Sequence, residues 1–403
     1  MWTRRRLLQA GVALGIGVLW PAFAYSPKSS LQAVRDSLTA LRRQRLVLSP
    51  LEGLTEFRGV LHAHTSLSHD SHGTAEEIIA AAGQARLRFM ITTDHYTTRI
   101  YSEGIQGVHN SVLVIRGVEI GMGCTRSSGL TRRCGSVLAF GCRNPLIADD
   151  RNGWDWEALF KTIRTQGGLS IIAHPRGLPD SGYFKQADGI EIHDIADAMR
   201  EKIIDVPQQL LQFLLASDKY PEELMLPVAE RMNWHLAQWD TLTRDRRFVG
   251  VAGNDAHQNI SLFGRLIDRY DLIFRALNMH VLAPSLTEEN IIAGLREGRC
   301  FASFGLLGDA AGFQFTAREI PTGTQRAVLG GELKMQDGLV LEVQSPIPGS
   351  LILLRDGVPI RREQGRLLRH GVDRPGVYRV EVSLRVVDRW RPWIFANPIY
   401  IRA

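Results

Sequence analysis

Short apolar runs rich in β-branched residues recur between residues 56 and 310 and alternate with stretches of helical periodicity. The runs at 57–61, 89–93, 112–118, 169–173 and 248–253 read as buried strands. Thr74-Ala75-Glu76-Glu77 forms a capping box, which predicts a helix running to Ala85. Further helices are predicted over 154–166, 195–215 and 221–243, and from Ser285-x-x-Glu288 to Arg296. Such alternation is the pattern of an α/β domain. Ahead of it, Leu31, Val34, Leu38 and Leu41 share one helical face, so 25–55 reads as a lead-in helix and linker. Beyond Gly312 the period falls to two, with Leu339/Leu341/Val343 and Tyr378/Val380/Val382/Leu384 alternating with polar residues. Asp356-Gly357 marks a hairpin turn. Residues 311–403 therefore read as a small all-β, sandwich-like domain.

The first residues follow a different logic. Arg4, Arg5 and Arg6 precede Leu7-Leu8 and an apolar stretch through Trp20, and Ala22-Phe23-Ala24 is a small-x-small site. These are the parts of an export signal, here 1–24, and the paired arginines resemble the twin-arginine type. The expectation is a periplasmic or secreted protein with no stable membrane span after cleavage. The apolar stretch is interrupted by Gly11, Gly15 and Gly17 and is short against the roughly 20 residues of a span.

The formal charge of +6 includes those three arginines. The remaining excess of about +3 does not indicate nucleic-acid binding. Cys124 and Cys134 flank a Ser/Gly/Arg-rich turn and could pair in an oxidising compartment, although free buried cysteine is an equal reading. The sequence leaves the oligomeric state open.

Candidate chemistry sits just after the predicted strands. The order is His62-Ala63-His64, Ser68-His69-Asp70, Asp94-His95, Glu119, His174-Pro175, His193 and Asp255-Ala256-His257. A His-x-His pair on a strand puts both rings on one side, within reach of one divalent ion at about 2.0–2.1 Å. In a barrel of parallel strands the C-terminal strand ends converge on one face, where active sites are built. Asp94 adjoins His95 on its strand and should face away from it, in a structural role. His72 and His109 read as solvated loop residues, and Arg99 and Arg176, just past His95 and His174, as candidate anion clamps.

These motifs resemble the PHP (polymerase and histidinol phosphatase) family of metal-dependent phosphoesterases. The resemblance rests on H-x-H with S-x-D (His62, His64, Ser68, Asp70), T-D-H (Thr93-Asp94-His95), Glu119, H-P (His174-Pro175) and D-x-H (Asp255-Ala256-His257). It covers about residues 56–305 of a domain read as 56–310, and the β-rich C-terminal segment is similar to the CehA/McbA-like branch. It implies a distorted (β/α)7 TIM-like barrel holding two or three divalent ions (Zn, Mn or Fe). By position, His62, His64, Glu119 and Asp255 would hold one ion. Glu119 would bridge to a second, with His174 and His193. Asp70, His95 and His257 would hold a third, with His69 as the alternative to Asp70. Glu119 and Asp255 thereby become catalytic as well as metal residues, and a small-molecule phosphate ester the implied substrate. Two other readings stay open. One is an amide, carbamate or ester hydrolase, although no lysine follows an apolar strand before His174 to serve as a carboxylated bridge. The other is a non-catalytic metal-binding protein.

Overall fold

The computed structural model describes residues 27–125, 131–146, 156–177 and 182–403. Segment 1–24 lies outside the described residues, as do the side chains of Cys124 and Cys134. Cys142 and Cys300 are free and buried. Among the described residues no helix is long and apolar enough to cross a membrane.

The lead-in helix is Pro27–Arg43, and it packs Leu38 and Leu41 into the core. After it come β1 (Thr55–Ala63), β2 (Phe89–His95), β3 (Gly107–His109), β4 (Val112–Thr125), β5 (Thr131–Phe140), β6 (Leu169–Ala173), β7 (Gly189–Asp194) and β8 (Val249–Gly253). A short hairpin, β9 (Ser261–Leu262) with β10 (Arg265–Leu266), precedes β11 (Asn278–Ala283) and β12 (Cys300–Ser303). Every residue of β6, β7 and β8 is buried, as expected of strands covered on both faces.

Pairing is parallel for β1–β2, β2–β4, β6–β7 and β7–β8, but antiparallel for β4–β5, β5–β6 and β1–β11. The sheet is therefore mixed, and strand–helix alternation alone did not reveal the reversal at β5. The series returns on itself: Asn254 N donates to Leu61 O at 3.0 Å and His64 N to Ala256 O at 2.9 Å. The ends of β1 and β8 thus meet.

Thr74 caps the helix Ala75–Gln84, with both halves of the capping box in place. The long helices predicted over 195–215 and 221–243 are each broken. Ile195–Met199 gives way to a π turn, Arg200–Ile204, and then to Pro207–Ala216. Pro221–Met225 ends in the 3-10 turn Leu226–Val228, where Pro227 has no N–H to continue an α-helix, and Asn233–Asp245 starts afresh.

The C-terminal segment is all strand: β13 (Gln314–Glu319), β14 (Thr324–Val328), β15 (Glu332–Lys334), β16 (Leu339–Arg355), β17 (Val358–Gly371), β18 (Gly376–Val386) and β19 (Arg389–Arg402). Asp356 and Gly357, both at positive φ, make the β16–β17 turn. This segment continues the first sheet, because β12 pairs antiparallel with β19 through Phe301↔Ala396. Asn397 extends the join by accepting from Gly250 N and donating to the carbonyls of Gly250 and Cys300, at 2.9–3.0 Å. A second join is ionic and buried: Arg379 on β18 reaches Asp240 on the helix Asn233–Asp245 at 2.8 Å and Glu381 at 2.7 Å.

Candidate metal centre

His62 ends the regular part of β1, His174 directly follows β6, and Asp255 lies two residues beyond β8. Their φ values of 61°, 47° and 43° fall in the left-handed region. For residues with a Cβ that conformation costs on the order of 1–3 kcal/mol each and persists only where the surroundings enforce it. Three such bends turn three ligand-type side chains toward one point. β2 and β4 contribute a fourth and fifth through register, since His95 and Glu119 are directly paired.

The donor atoms converge. His62 Nε2 and His64 Nε2 each lie 3.3 Å from Asp255 Oδ1, and the Glu119 oxygens lie 3.7 and 3.5 Å from the same two nitrogens. Ligands about 2.1 Å from a tetrahedral ion stand about 3.4 Å apart. His62 Nε2 and His64 Nε2 are buried without hydrogen-bond partners, a costly arrangement unless a cation satisfies them. The residues therefore fit a divalent ion. Beside this group, His174 Nε2 is 3.8 Å from both Glu119 Oε1 and Asp255 Oδ2, so both carboxylates could be shared with a second ion. On the other side, Asp70 lies 3.1 Å from His95 Nε2 and 3.5 Å from His257 Nε2. Glu119 links this third group to the first, with His95 Nδ1 2.9 Å from its Oε2.

Behind the rings stands a layer of oriented acceptors. His62 Nδ1 is 2.7 Å from Glu191, His174 Nδ1 is 2.9 Å from Asp197, and His64 Nδ1 is 3.1 Å from Ser68 Oγ. Ser68 in turn donates to Asp94 at 2.7 Å, and Asp94 also takes the N–H of Thr65 at 2.6 Å. Asp94 thus braces the H-x-H loop, the structural role its parity predicted. Partners of this kind fix which nitrogen of an imidazole faces an ion.

Electrostatics follow burial and neighbours. Burial works against charge on His62 and His174, yet Glu191 and Asp255 for the first, and Asp197 and Asp255 for the second, hold both well above the usual histidine range. Burial would raise Glu119 and Asp255, but the surrounding histidines hold both far below the carboxylate range. Burial takes His64 down to about 4 against the pull of Asp255.

The structure brings together His62, His64, Asp70, His95, Glu119, His174, Asp255 and His257. His193 is a correction: it lies on β7 but points the other way, its ring edge-on to Phe304 at 4.9 Å, both nitrogens without partners. A bulge explains this. Glu191 pairs with Val251 and His193 with the next residue, Ala252, so Ile192 is an extra residue that reverses the alternation. Glu191 and Asp194 face the site in its place. Arg99 is a second correction: it is exposed and paired to Glu103 at 2.7 Å on its own short helix, away from the cleft lining. Arg176 does line the cleft, at its rim, 3.4 Å from Glu201. His69 is largely exposed and 3.8 Å from Asp70, while Asp70 makes the closer contact to His95. His72 is exposed, and His109 is held by Gln106 O at 3.0 Å.

Sequence reasoning missed Asp194, Asp197 and Arg200. Asp194-x-x-Asp197 carried a usable signal, since an Asp ahead of an apolar run is an N-cap, and Asp194 Oδ1 accepts from Asp197 N at 2.8 Å. That cap fixes the helix start and so aims Asp197 at His174.

No family model matches the chain, and no curated protein is similar to it in sequence. Among solved structures, it is similar to a two-domain protein of Bacteroides vulgatus containing a predicted PHP-like metal-dependent phosphoesterase, at 15% identity and a TM-score of 0.40, over 88% of this chain and 98% of that one. It is also similar to a candidate metal-dependent phosphoesterase of Bifidobacterium adolescentis, at 14% identity and a TM-score of 0.28, over 52% of this chain and 92% of that one. Neither likeness is close enough to carry a residue role or an activity over to this chain.

Proposed function

We propose that the protein is a metal-dependent phosphoesterase that hydrolyses a small-molecule phosphomonoester or phosphodiester. One observation carries the reading: His62 Nε2 and His64 Nε2, buried and partnerless, converge with Glu119 and Asp255 at the spacing of ligands around one ion. His62, His64, Glu119 and Asp255 would hold one divalent ion, Glu119 and Asp255 would share a second with His174, and Asp70, His95 and His257 would hold a third. Bound ions supply Lewis acidity for the phosphoryl oxygens and lower the pKa of a nucleophilic water.

The protein's own part is positional. Glu191, Asp197 and Ser68 keep the Nε2 atoms of His62, His174 and His64 turned inward. Glu119 spans the groups and fixes their separation. Arg176, at the rim, would offer its fork of N–H donors to an anionic group of the substrate. A cleft of about 760 Å³ above the centre suits a small organic substrate. The amide-hydrolase alternative lacks its lysine, since Glu119 stands at the shared position and no lysine lines the cleft among the described residues. Residues 1–24 are proposed to direct export through the twin-arginine route, which suits a protein that binds metal on folding.

Elemental analysis of purified protein, joined to a phosphate-release screen of mono- and diesters, tests this reading. Two or three equivalents of Zn, Mn or Fe with chelator-sensitive phosphate release are expected. Protein that holds metal but releases no phosphate from any ester would favour the binding-protein reading.

A further inference from the structure

The floor and the rim of the cleft differ in character. At the floor His62, His64 and Glu119 are buried, whereas Arg176, on the turn Pro175–Gly177, and Arg200 are exposed at the rim. One wall is the helix Ile195–Met199, which with its C-cap presents Ala196, Asp197, Met199 and Arg200 to the cleft, the spacing of one helical face. At Arg200 the helix widens into the π turn, with Asp205 N donating to Arg200 O at 2.8 Å. Such turns interrupt a helix at a cost and are found most often at functional sites.

The carboxylates facing the cleft are already engaged. Asp197 is taken by His174, Asp70 by His95 and His257, and Asp268 by the N–H groups of Asn259 and Ile260 at 2.9 and 2.8 Å. Arg176 touches Glu201 only at 3.4 Å, and Arg200 makes no direct ion pair among the described residues, its charge reaching Asp197 without a contact. Two guanidinium groups thus stand at the mouth of the cleft, neither closely paired, and Met199, Ile260 and Ile273 supply apolar surface within it.

The geometry points to a second anion subsite, Arg200 with Arg176, that holds a fixed negative charge on the leaving group. The substrate class is then an organic phosphate ester bearing a second anionic group, a carboxylate or another phosphate. This rests on the phosphoesterase reading of the metal centre. In the reaction the ester P–O bond breaks and a new P–O bond forms to the oxygen of water. The proton released by that water ends on the leaving oxygen, while the remote anion stays on Arg200. A guanidinium suits either anion, because its planar fork matches carboxylate and phosphate oxygens in pairs.

The test uses the full, metal-loaded chain and three non-hydrolysable probes: propylphosphonate, 3-phosphonopropionate and 1,3-propanediphosphonate. Calorimetric titration of wild type should show one or both doubly anionic probes binding about tenfold tighter or more than propylphosphonate, as a charge-assisted contact provides. Their relative affinities separate carboxylate from phosphate as the second anion. Arg200→Gln should bring the preference close to one, and Arg200→Lys should retain part of it. Equal affinity of the three probes in wild type, or a preference that survives Arg200→Gln, overturns the subsite. Phosphate release from glycerol 2-phosphate and 2-phosphoglycerate is measured in parallel. An Arg200-dependent preference without any phosphate release would sink the esterase reading and leave the subsite standing.

Discussion

Glu191 lies 2.7 Å from Nδ1 of His62, and its other oxygen faces the backbone N–H of His174 at 3.3 Å. One carboxylate therefore steadies residues from two strands of the metal centre. Gly253 makes room for it, since a Cβ there would collide with Glu191 Oε1. Glu191→Gln should lower metal affinity about 10- to 100-fold while the protein stays folded. Gly253→Ala should do the same by displacing Glu191. Competition with a chromogenic chelator measures both, and wild-type affinity in the pair would remove Glu191 from any role in positioning.

Glu119→Gln keeps the shape but gives up a charge and half the capacity to be shared between ions. A fall in kcat of about 10²–10³ or more is expected, with loss of about one metal equivalent and a smaller change in KM. His62→Ala and Asp255→Ala should lose metal and activity together. Elemental analysis beside steady-state kinetics decides, and a full metal complement in all three variants would contradict the assignment.

The eight converging residues were legible because each follows an apolar strand, and the strands themselves were legible from their β-branched runs. His193 was misplaced by a single extra residue, Ile192, since a bulge reverses parity and leaves no mark in composition. Arg99 and Arg176 were equivalent on paper, and only the fold separated them, since Arg176 lines the cleft and Arg99 does not. The antiparallel β5 and the pairing of β12 with β19 were hidden for a related reason. Periodicity reports which face of a strand is buried, not which neighbour or direction it takes.

Metal-free protein should have its own pH dependence. Glu119 and Asp255 titrate below their ordinary range, so their contribution to stability is complete above about pH 4.5 and is lost as pH falls through the lowered values. His62 and His174 titrate above theirs, so their contribution is complete below about pH 6.5 and is lost as pH rises through the raised values. His64, held down to about 4, adds a contribution that is complete above about pH 6.5 and is lost as pH falls, so chelator-treated protein should have its highest Tm near pH 6.5. Metal-loaded protein should gain stability toward neutral pH instead, because imidazole ligands must shed their protons. Scanning calorimetry of both forms checks this, and a chelated Tm that rises steadily from pH 6.5 to 8 would contradict it.

Arg379 is buried between Asp240 and Glu381 and joins β18 to the helix Asn233–Asp245. Arg379→Ala leaves the buried Asp240 without its cation, while Glu381 keeps Arg231 at 2.8 and 2.9 Å, and should destabilise the fold by about 3–5 kcal/mol. Denaturant unfolding measures it. A loss under about 1 kcal/mol would mean the cluster is hydrated in solution.

Replacing Arg4 and Arg5 by lysine should leave the precursor in the cytoplasm if the twin-arginine route is used. Fractionation and immunoblotting report the outcome, and undiminished export would point to the general secretory route.

Gly250 is bonded to Asn397 across 147 positions of sequence, and Gly250 sits on the strand that leads to Asp255. The strand leading to that aspartate thus gains part of its backing only when a very distant stretch of chain arrives. Contacts of such separation close slowly, because the loop entropy must be spent before they return anything. Ion capture should therefore be among the last events of folding. A nascent chain would spend its early life with Asp255 and His257 not yet set beside His62 and His64, its cage still open.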